Sequence, residues 1–279
     1  MSIRQPAVAG SFYPAKPEEL KNTIKKSFLH KRGPGRLPQE SNKDRTISAV
    51  VCPHAGYQYS GPCAAHSYIE LSKEIPPKTV IMIGPNHTGW GSPVSMYGEG
   101  SWQTPLGRVE VDEKLARELF NNSDIIDYDE TAHRREHSLE VQLPFLQYIF
   151  NQFKIIPICM GYQDLETSTE LGEAIQKTIE KKNVLILTSS DFTHQEPQES
   201  ANKKDSLVIN AIQSMDERQL QTVVKENRIT ACGYGPISAA IVASRKLGAD
   251  SATLLQYYTS GDIINDFRAV VGYAAIKIT

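Results

Sequence analysis

Val50-Val51-Cys52-Pro53-His54-Ala55-Gly56-Tyr57 decides the fold: an apolar run that begins near Ile47 stops at a proline and delivers a histidine. A short, continuous apolar run ended by a breaker is the pattern of a strand buried on both faces. The pattern recurs. Val80-Ile81-Met82-Ile83 ends in Gly84-Pro85-Asn86-His87, and Val184-Leu185-Ile186-Leu187 ends in Ser189-Ser190-Asp191-Phe192-Thr193-His194. Three core strands each hand over a histidine at the carboxyl end, the edge at which open α/β sheets bind ligands.

Working outward, 61–73 reads as a helix with Ala64, Ala65, Tyr68 and Leu71 on one face, followed by the strand 79–84. The first two histidine-bearing strands therefore form a βαβ unit. Its crossover is long enough for them to pair in parallel, which puts His54 and His87 at one edge. Upstream, Pro17-Glu18-Glu19-Leu20 opens a helix that runs to about Leu29, with proline and acids where the first turn favours them. Residues 30–45 collect glycine, proline and charge without periodicity and read as a surface loop. Residues 94–111 read as a hairpin excursion, because short strand-like pieces alternate with Gly98, Gly100, Pro105 and Gly107. Helices are expected at 112–120, 164–180, 200–215, 216–226 and 237–247, with further strands at 154–160, 252–258 and 270–278. No shift in composition marks a boundary, so residues 1–279 are expected to form a single α/β domain.

Composition excludes several classes of function. The 279 residues are 40% hydrophobic and 22% charged with a formal net charge of −2, and the isoelectric point is near 6.4. Nothing in that balance provides an electrostatic footprint for nucleic acid. No apolar run reaches the roughly 20 residues of a bilayer span, and the start of the chain has no signal-peptide core, so a cytoplasmic protein is expected. Cysteines at 52, 63, 159 and 232 have neither zinc-ribbon nor disulfide-scaffold spacing and are expected as free thiols.

The strand-end residues carry the candidate chemistry. His54 and His87 fit zinc, iron or copper, although either alone would more often be a satisfied structural histidine; their shared strand-end position favours ligation. Cys232, in Thr230-Ala231-Cys232-Gly233-Tyr234-Gly235-Pro236, precedes a helix whose amides and dipole favour a thiolate. It fits either a third ligand beside two imidazoles or a small buried residue at a turn. Asp191 and His194 stand three apart and could reach one cavity as an acid/base pair, the alternative for Asp191 being a helix N-cap. His137 and Glu140 are also three apart, and one of them is expected to point into that cavity. Ser189 or Ser190 with Asp191 and His194 superficially supplies serine-hydrolase parts, but there is no G-x-S-x-G elbow and triad members rarely come from one short loop. His133-Arg134-Arg135-Glu136-His137 matches the H-x-x-E-H pattern of inverted zinc proteases, but Pro144 disfavours the helix that this pattern needs. His30, His66, Cys52, Cys63 and Cys159 receive no role.

Arg4-Gln5-Pro6-Ala7-Val8-Ala9-Gly10-Ser11-Phe12-Tyr13-Pro14, Pro53-His54-Ala55-Gly56-Tyr57, Gly84-Pro85-Asn86-His87, Glu136-His137-Ser138-Leu139-Glu140, Ser189-Ser190-Asp191-Phe192-Thr193-His194 and Cys232-Gly233, in this order over nearly the whole chain, resemble the Memo family. That family is in turn similar to the class III extradiol dioxygenases. The resemblance implies an α/β/α sandwich around a central mixed, largely parallel sheet. It implies His54, His87 and Cys232 as metal ligands, with cysteine where the dioxygenases use glutamate. His194 is similar to the dioxygenase base, His137 to a substrate-contacting histidine, and Asp191 would support the cavity beside His194. A thiolate shifts preference toward copper(I), zinc or redox-active iron, so ring cleavage is not expected to be inherited. The function implied is that of an iron or copper redox protein, zinc being a third candidate, acting on an unknown small molecule or peptide. The alternative is a non-catalytic peptide- or phosphotyrosine-binding module that uses the same pocket, as proposed for animal relatives. Microbial relatives are associated with AMMECR1-domain and radical-SAM proteins.

Overall fold

The computed structural model describes residues 2–39, 43–180 and 182–279. In chain order the elements are β1 (Ile3–Arg4), α1 (Pro17–Leu29), β2 (Ala49–Cys52), α2 (Tyr57–Leu71), β3 (Thr79–Pro85), β4 (Val94–Met96), β5 (Ser101–Thr104), β6 (Gly107–Glu110), α3 (Glu113–Asn121) and β7 (Asp127–Tyr128). There follow α4 (Leu143–Ile149), β8 (Lys154–Met160), α5 (Leu165–Ile179), β9 (Val184–Ser189), β10 (His194–Glu196), α6 (Gln198–Gln213), α7 (Glu217–Glu226), α8 (Tyr234–Lys246), β11 (Ala252–Thr259), α9 (Gly261–Ile264) and β12 (Val270–Ile278). Of the predicted surface loop, residues 40–42 lie outside the described residues, and the rest of 30–45 has no helix or strand.

Helices cover both faces of a nine-stranded mixed sheet, whose order is β10-β12-β2-β9-β3-β8-β4-β7 with β11 on the far side of β12. The central strands β2, β9, β3 and β8 run parallel, as the expected architecture requires. Alternation along each strand divides the core. Val51, Ile81, Ile156 and Ile186 face α3, α5, α6, α7 and α8. Val50, Val80, Met82, Leu185 and Leu187 face α1, α2 and α4. Each of these side chains is fully buried, which is worth about 1.5–3 kcal/mol apiece. Strands buried on both sides must read as continuous apolar runs, and this is why they were visible in the sequence.

Three expectations need correction. First, β2 and β3 do not pair with each other. β9 lies between them, in parallel register with both, Val51 opposite Thr188 and Ile81 opposite Ile186. The βαβ unit skips one place, and an entirely buried strand fills it. Second, 94–111 is not one excursion: β4 joins the main sheet antiparallel to β8, and only β5 and β6 form a hairpin, in a small sheet with β1. Third, α2 and α8 begin at Tyr57 and Tyr234, earlier than Gly61 and Ile237. Pro236 falls in the first turn of α8, where an amide has no intrahelical partner, while Pro62 sits inside α2.

The stretch around Pro144 also differs from expectation. A 3-10 turn at Glu140–Gln142 runs into α4, which holds Pro144 in its first turn. His133 ends a separate 3-10 turn, and its ring bonds the Ser95 carbonyl inside the core. The H-x-x-E-H residues therefore do not share a helix, and no protease-like metal pair forms.

Residues 4–13 are tied down by one buried carboxylate. Glu140 accepts from Arg4 Nη1 at 2.6 Å, from the amides of Ala7 and Val8, and from the Tyr13 hydroxyl at 2.6 Å. Phe12 is thereby carried to the sheet's carboxyl edge, where its carbonyl takes the Tyr57 amide at the start of α2. Of the pair His137 and Glu140, the histidine enters the cleft and the glutamate anchors the N-terminal segment.

Candidate functional site

The carboxyl ends of β2, β9 and β3 are adjacent, and each delivers its histidine to one edge of the sheet. His54 follows β2 by two residues and is buried. Its amide donates to Asp191 Oδ1 at 2.8 Å, its Nδ1 is 2.8 Å from Ser189 Oγ, and its Nε2 is 3.1 Å from Cys232 Sγ. His87, two residues beyond β3, gives its amide to Glu136 Oε2 at 2.6 Å and its Nδ1 lies 2.9 Å from Oε1. A carboxylate only accepts, so Nδ1 carries the proton and Nε2 is left for the cleft. The two imidazoles meet edge to face across β9, with ring centres 5.2 Å apart.

Cys232 arrives on the turn before α8. Its amide donates to the Asp191 carbonyl at 3.1 Å, and the Asp191 amide donates back to Sγ at 3.2 Å. The next residue must be small: a Cβ on Gly233 would lie 2.3 Å from the Ser189 carbonyl oxygen. Burial, and after it the charge of Asp191, push the thiol upward, against the lowering effect of the Asp191 amide. This direction is the reverse of that expected from amides and a helix dipole alone. A cation is what would favour the thiolate here.

Ligand atoms of His54, His87 and Cys232 lie within 4.8 Å of one another, and so do those of His87, Glu136 and His137. The second set is already saturated, since Glu136 takes the amides of His87, His137 and Ser138 as well as the His87 ring. Although burial opposes ionisation, the His87 hydrogen bond, the nearby imidazole charges and the Ser138 amide hold the Glu136 carboxyl at about 2. Glu136 is thus a backing for His87, of the kind that orients metal-bound histidines.

His54, His87, His137, Asp191 and His194 all line one cleft of about 490 Å³, walled by Phe12, Tyr59 and Tyr273. His137 stacks on His87 at 4.7 Å and meets Phe12 at 4.7 Å. Burial lowers its pKa, against the pull of Glu136. Burial also pushes His54 well below the usual imidazole range, and the neighbouring imidazoles add to this. Asp191 is pushed up by burial to about 6, against the His54 amide and the charges of His194 and His87. It caps no helix, for β10 follows it. His194, in β10 opposite Val271, is oriented by Thr230: its amide donates to Oγ1 at 2.7 Å and its Nδ1 meets the carbonyl at 2.9 Å. No hydrogen bond joins Asp191 to His194 among the described residues. A larger cleft, about 700 Å³, lies beside Lys78 at the opposite end of β3 and is lined by no histidine or cysteine.

Glu136, Ser189, Gln142, Phe12 and Thr230 were missed as contributors to this site. Glu136 carried a signal, since it adjoins His137 in a quoted motif. Phe12 also lies in a quoted motif, but nothing there placed it in the cleft, because its position depends on the anchoring by Glu140.

Fold and cleft together define an α/β/α protein with a His-His-Cys cluster at the carboxyl ends of three parallel strands. The family model described as Memo-like protein matches residues 4–277, and the chain belongs to that family. It is 49% identical over 276 residues to a MEMO1 family protein of Methanopyrus kandleri, with 98% of each chain covered. It is 50% identical over 282 residues to one of Methanocaldococcus jannaschii, again with 98% of each chain covered. It is also similar, at 49% identity over 281 residues and 99% of each chain, to a MEMO1 family protein of Sulfolobus acidocaldarius. Among solved structures, an uncharacterized Escherichia coli K12 protein shares the fold with a TM-score of 0.60 at 11% identity, covering 84% of this chain and 100% of that one. Among the described residues no helix is long and apolar enough to cross a membrane.

Proposed function

We propose that the chain is a redox protein that binds one iron or copper ion, or zinc in their place, through His54 Nε2, His87 Nε2 and Cys232 Sγ. The observation that carries this reading is the 4.8 Å grouping of those three atoms. Both histidines are already held through their other nitrogen, by Ser189 and by Glu136. Two imidazoles and one thiolate suit zinc, copper and iron and not magnesium or calcium. Three protein donors leave an open position toward the cleft.

Iron or copper would supply one-electron chemistry at that position. The chain's own residues do the rest. His194 Nε2 is free because Nδ1 is committed to Thr230, so it serves as the proton acceptor on the cleft wall. Asp191 holds the His54 amide and the Cys232 turn together. His137 and Phe12, with rings tilted 44° to each other, form an aromatic wall of the cleft that apolar or aromatic groups can contact.

A cleft that gripped a phosphotyrosine dianion without turnover would need cationic donors. The lining holds no lysine or arginine; of its imidazoles, burial lowers the pKa of His54 and His137, and His87, though its pKa is raised, is already paired with Glu136, while the buried Asp191 adds negative charge, so the redox reading is the better supported one.

Anaerobic purification followed by elemental analysis tests it. Near-stoichiometric iron or copper in the wild type, lost in Cys232→Ala, is the expected result. A protein that stays metal-free after loading with iron(II), copper(I) and zinc under reducing conditions overturns it.

A further inference from the structure

We infer that Ser189 and Gln142 are positioning residues that fix His54 in a single tautomer, with the proton on Nδ1 and the Nε2 lone pair turned toward Cys232, an inference that depends on the metal reading for its consequence and not for its premises. A serine hydroxyl has one proton to give and two lone pairs to offer. Ser189 Oγ has three close partners: the Ser138 carbonyl at 2.7 Å, Gln142 Nε2 at 2.8 Å and His54 Nδ1 at 2.8 Å.

The Ser138 carbonyl can only accept, so it takes the hydroxyl proton. The Gln142 amide nitrogen can only donate. Its orientation is fixed at both ends, since Nε2 also donates to the Pro53 carbonyl at 3.0 Å while Oε1 accepts from the Tyr68 hydroxyl at 2.6 Å. One lone pair of Ser189 remains, and it faces His54 Nδ1. That nitrogen must therefore be the donor. In the other tautomer two lone pairs would oppose each other at 2.8 Å among buried groups, which is disfavoured by roughly tenfold or more. Ser138, Gln142, Ser189 and His54 are all buried, so no exposed group competes for these bonds.

The two histidines are thus presented by different means. Glu136 backs His87 with a full negative charge, whereas a neutral hydroxyl, tied directly to the Ser138 carbonyl and through Gln142 to that of Pro53, backs His54. The first arrangement raises the basicity of the ring; the second sets its direction alone.

Long-range nitrogen–proton NMR on histidine-labelled, metal-free protein reads the tautomer directly. The wild type is expected to show His54 protonated at Nδ1 and bare at Nε2, and that spectrum decides the tautomer whether or not any variant folds. Ser189→Ala is expected to give a mixture of tautomers, and Ser189→Thr, which keeps the hydroxyl, the wild-type pattern. Ser189→Cys, a weaker acceptor of similar volume, replaces the alanine variant should that variant not fold, and the same mixture is expected. Cobalt(II) affinity should fall by roughly 10–100-fold in the alanine variant and recover in the threonine variant. A wild-type His54 protonated at Nε2, or a Ser189→Ala or Ser189→Cys spectrum unchanged from wild type, overturns the inference. Failure of the wild type to bind cobalt(II), iron(II), copper(I) or zinc, with the expected spectrum, overturns the metal reading and leaves the tautomer assignment standing.

Discussion

His87 Nδ1 lies 2.9 Å from Glu136 Oε1, and the same carboxylate takes the His87 amide through its other oxygen at 2.6 Å. One buried acid thus fixes both the backbone and the ring of a proposed ligand, and it remains ionised because four donors converge on it.

This pair predicts a bell-shaped contribution to the stability of the metal-free protein. Glu136, held near 2 against an ordinary 4.5, contributes fully above 4.5, and its share is lost as pH falls toward 2. For His87, burial opposes protonation but Glu136 outweighs it and raises the pKa above the ordinary 6.5. Its share is complete below 6.5 and disappears as pH rises through the raised value. His54, His137 and Asp191 also titrate in this range, so the pair is read as a difference: the gap in urea midpoint between wild type and Glu136→Gln should be widest between about 4.5 and 6.5 and narrow on both sides. An unchanged profile in that variant would refute the coupling.

Glu140→Gln should cost about 3–5 kcal/mol, because it leaves the Arg4 guanidinium buried without its anion. Arg4 and Glu140 side chains are 3% and 0% exposed, so solvent screening does not soften the loss. Equilibrium unfolding in urea gives the number, and a loss below 1 kcal/mol would contradict it. Arg4 also stacks on Trp102 at 4.2 Å, so a change in tryptophan emission should accompany the loss.

Gly233→Ala should destabilise by about 1–3 kcal/mol, the usual cost of overpacking. The new methyl would meet the Ser189 carbonyl oxygen and the Ser190 side chain. The turn must move, and Cys232 with it. Zinc affinity, followed by competition with a chromophoric chelator, is expected to weaken in parallel; a variant that loses stability but binds zinc as tightly as wild type would separate the turn from the site.

Cys232→Asp replaces a soft donor by a hard one beside Asp191. In wild type, metal binding must expel the proton of a thiol that burial and Asp191 hold above its ordinary value, so affinity climbs with pH through the neutral range; a carboxyl at this position, even one raised by Asp191, ionises at lower pH, so the variant's affinity should level off sooner as pH rises. Preference should move from copper(I) and zinc toward iron(II) and manganese(II). Competitive loading followed by elemental analysis at two pH values checks both statements.

Much of the fold could be read from the chain because β2, β3, β8 and β9 are buried on both faces and must be continuously apolar. The order of the strands could not be read. Placing β9 between β2 and β3 is a choice made by packing across the whole sheet, and nothing local in Val184–Leu187 records its neighbours. The edge pieces β4, β7 and β10 were hidden for another reason: at two or three residues they are too short for alternation to show. In the site, residues at strand ends were visible because their positions follow from the strands. Ser189 was read only as a superficial hydrolase part, since its role lies in a hydrogen-bond chain through Gln142 and Tyr68 that comes together only in three dimensions. The spacing of His137 and Glu140 left open which of the two enters the cleft, and only the folded chain decides it, by giving Glu140 to Arg4 and Tyr13.

The position of β12 has a consequence for how the protein is made. β12 pairs with β2 through Ile276 and Val51 and with β10 through Val271 and His194, yet it is translated after every other described strand. Until residue 278 has left the ribosome, β2 is an open edge of Val50 and Val51, and His194 has no strand to lie against. A nascent chain therefore carries its cleft half-built, with an exposed apolar edge that invites pairing with other chains. Closure of the sheet beside the first histidine thus comes late by topology, so a metal held by the proposed His54, His87 and Cys232 set would load after the last described strand has emerged.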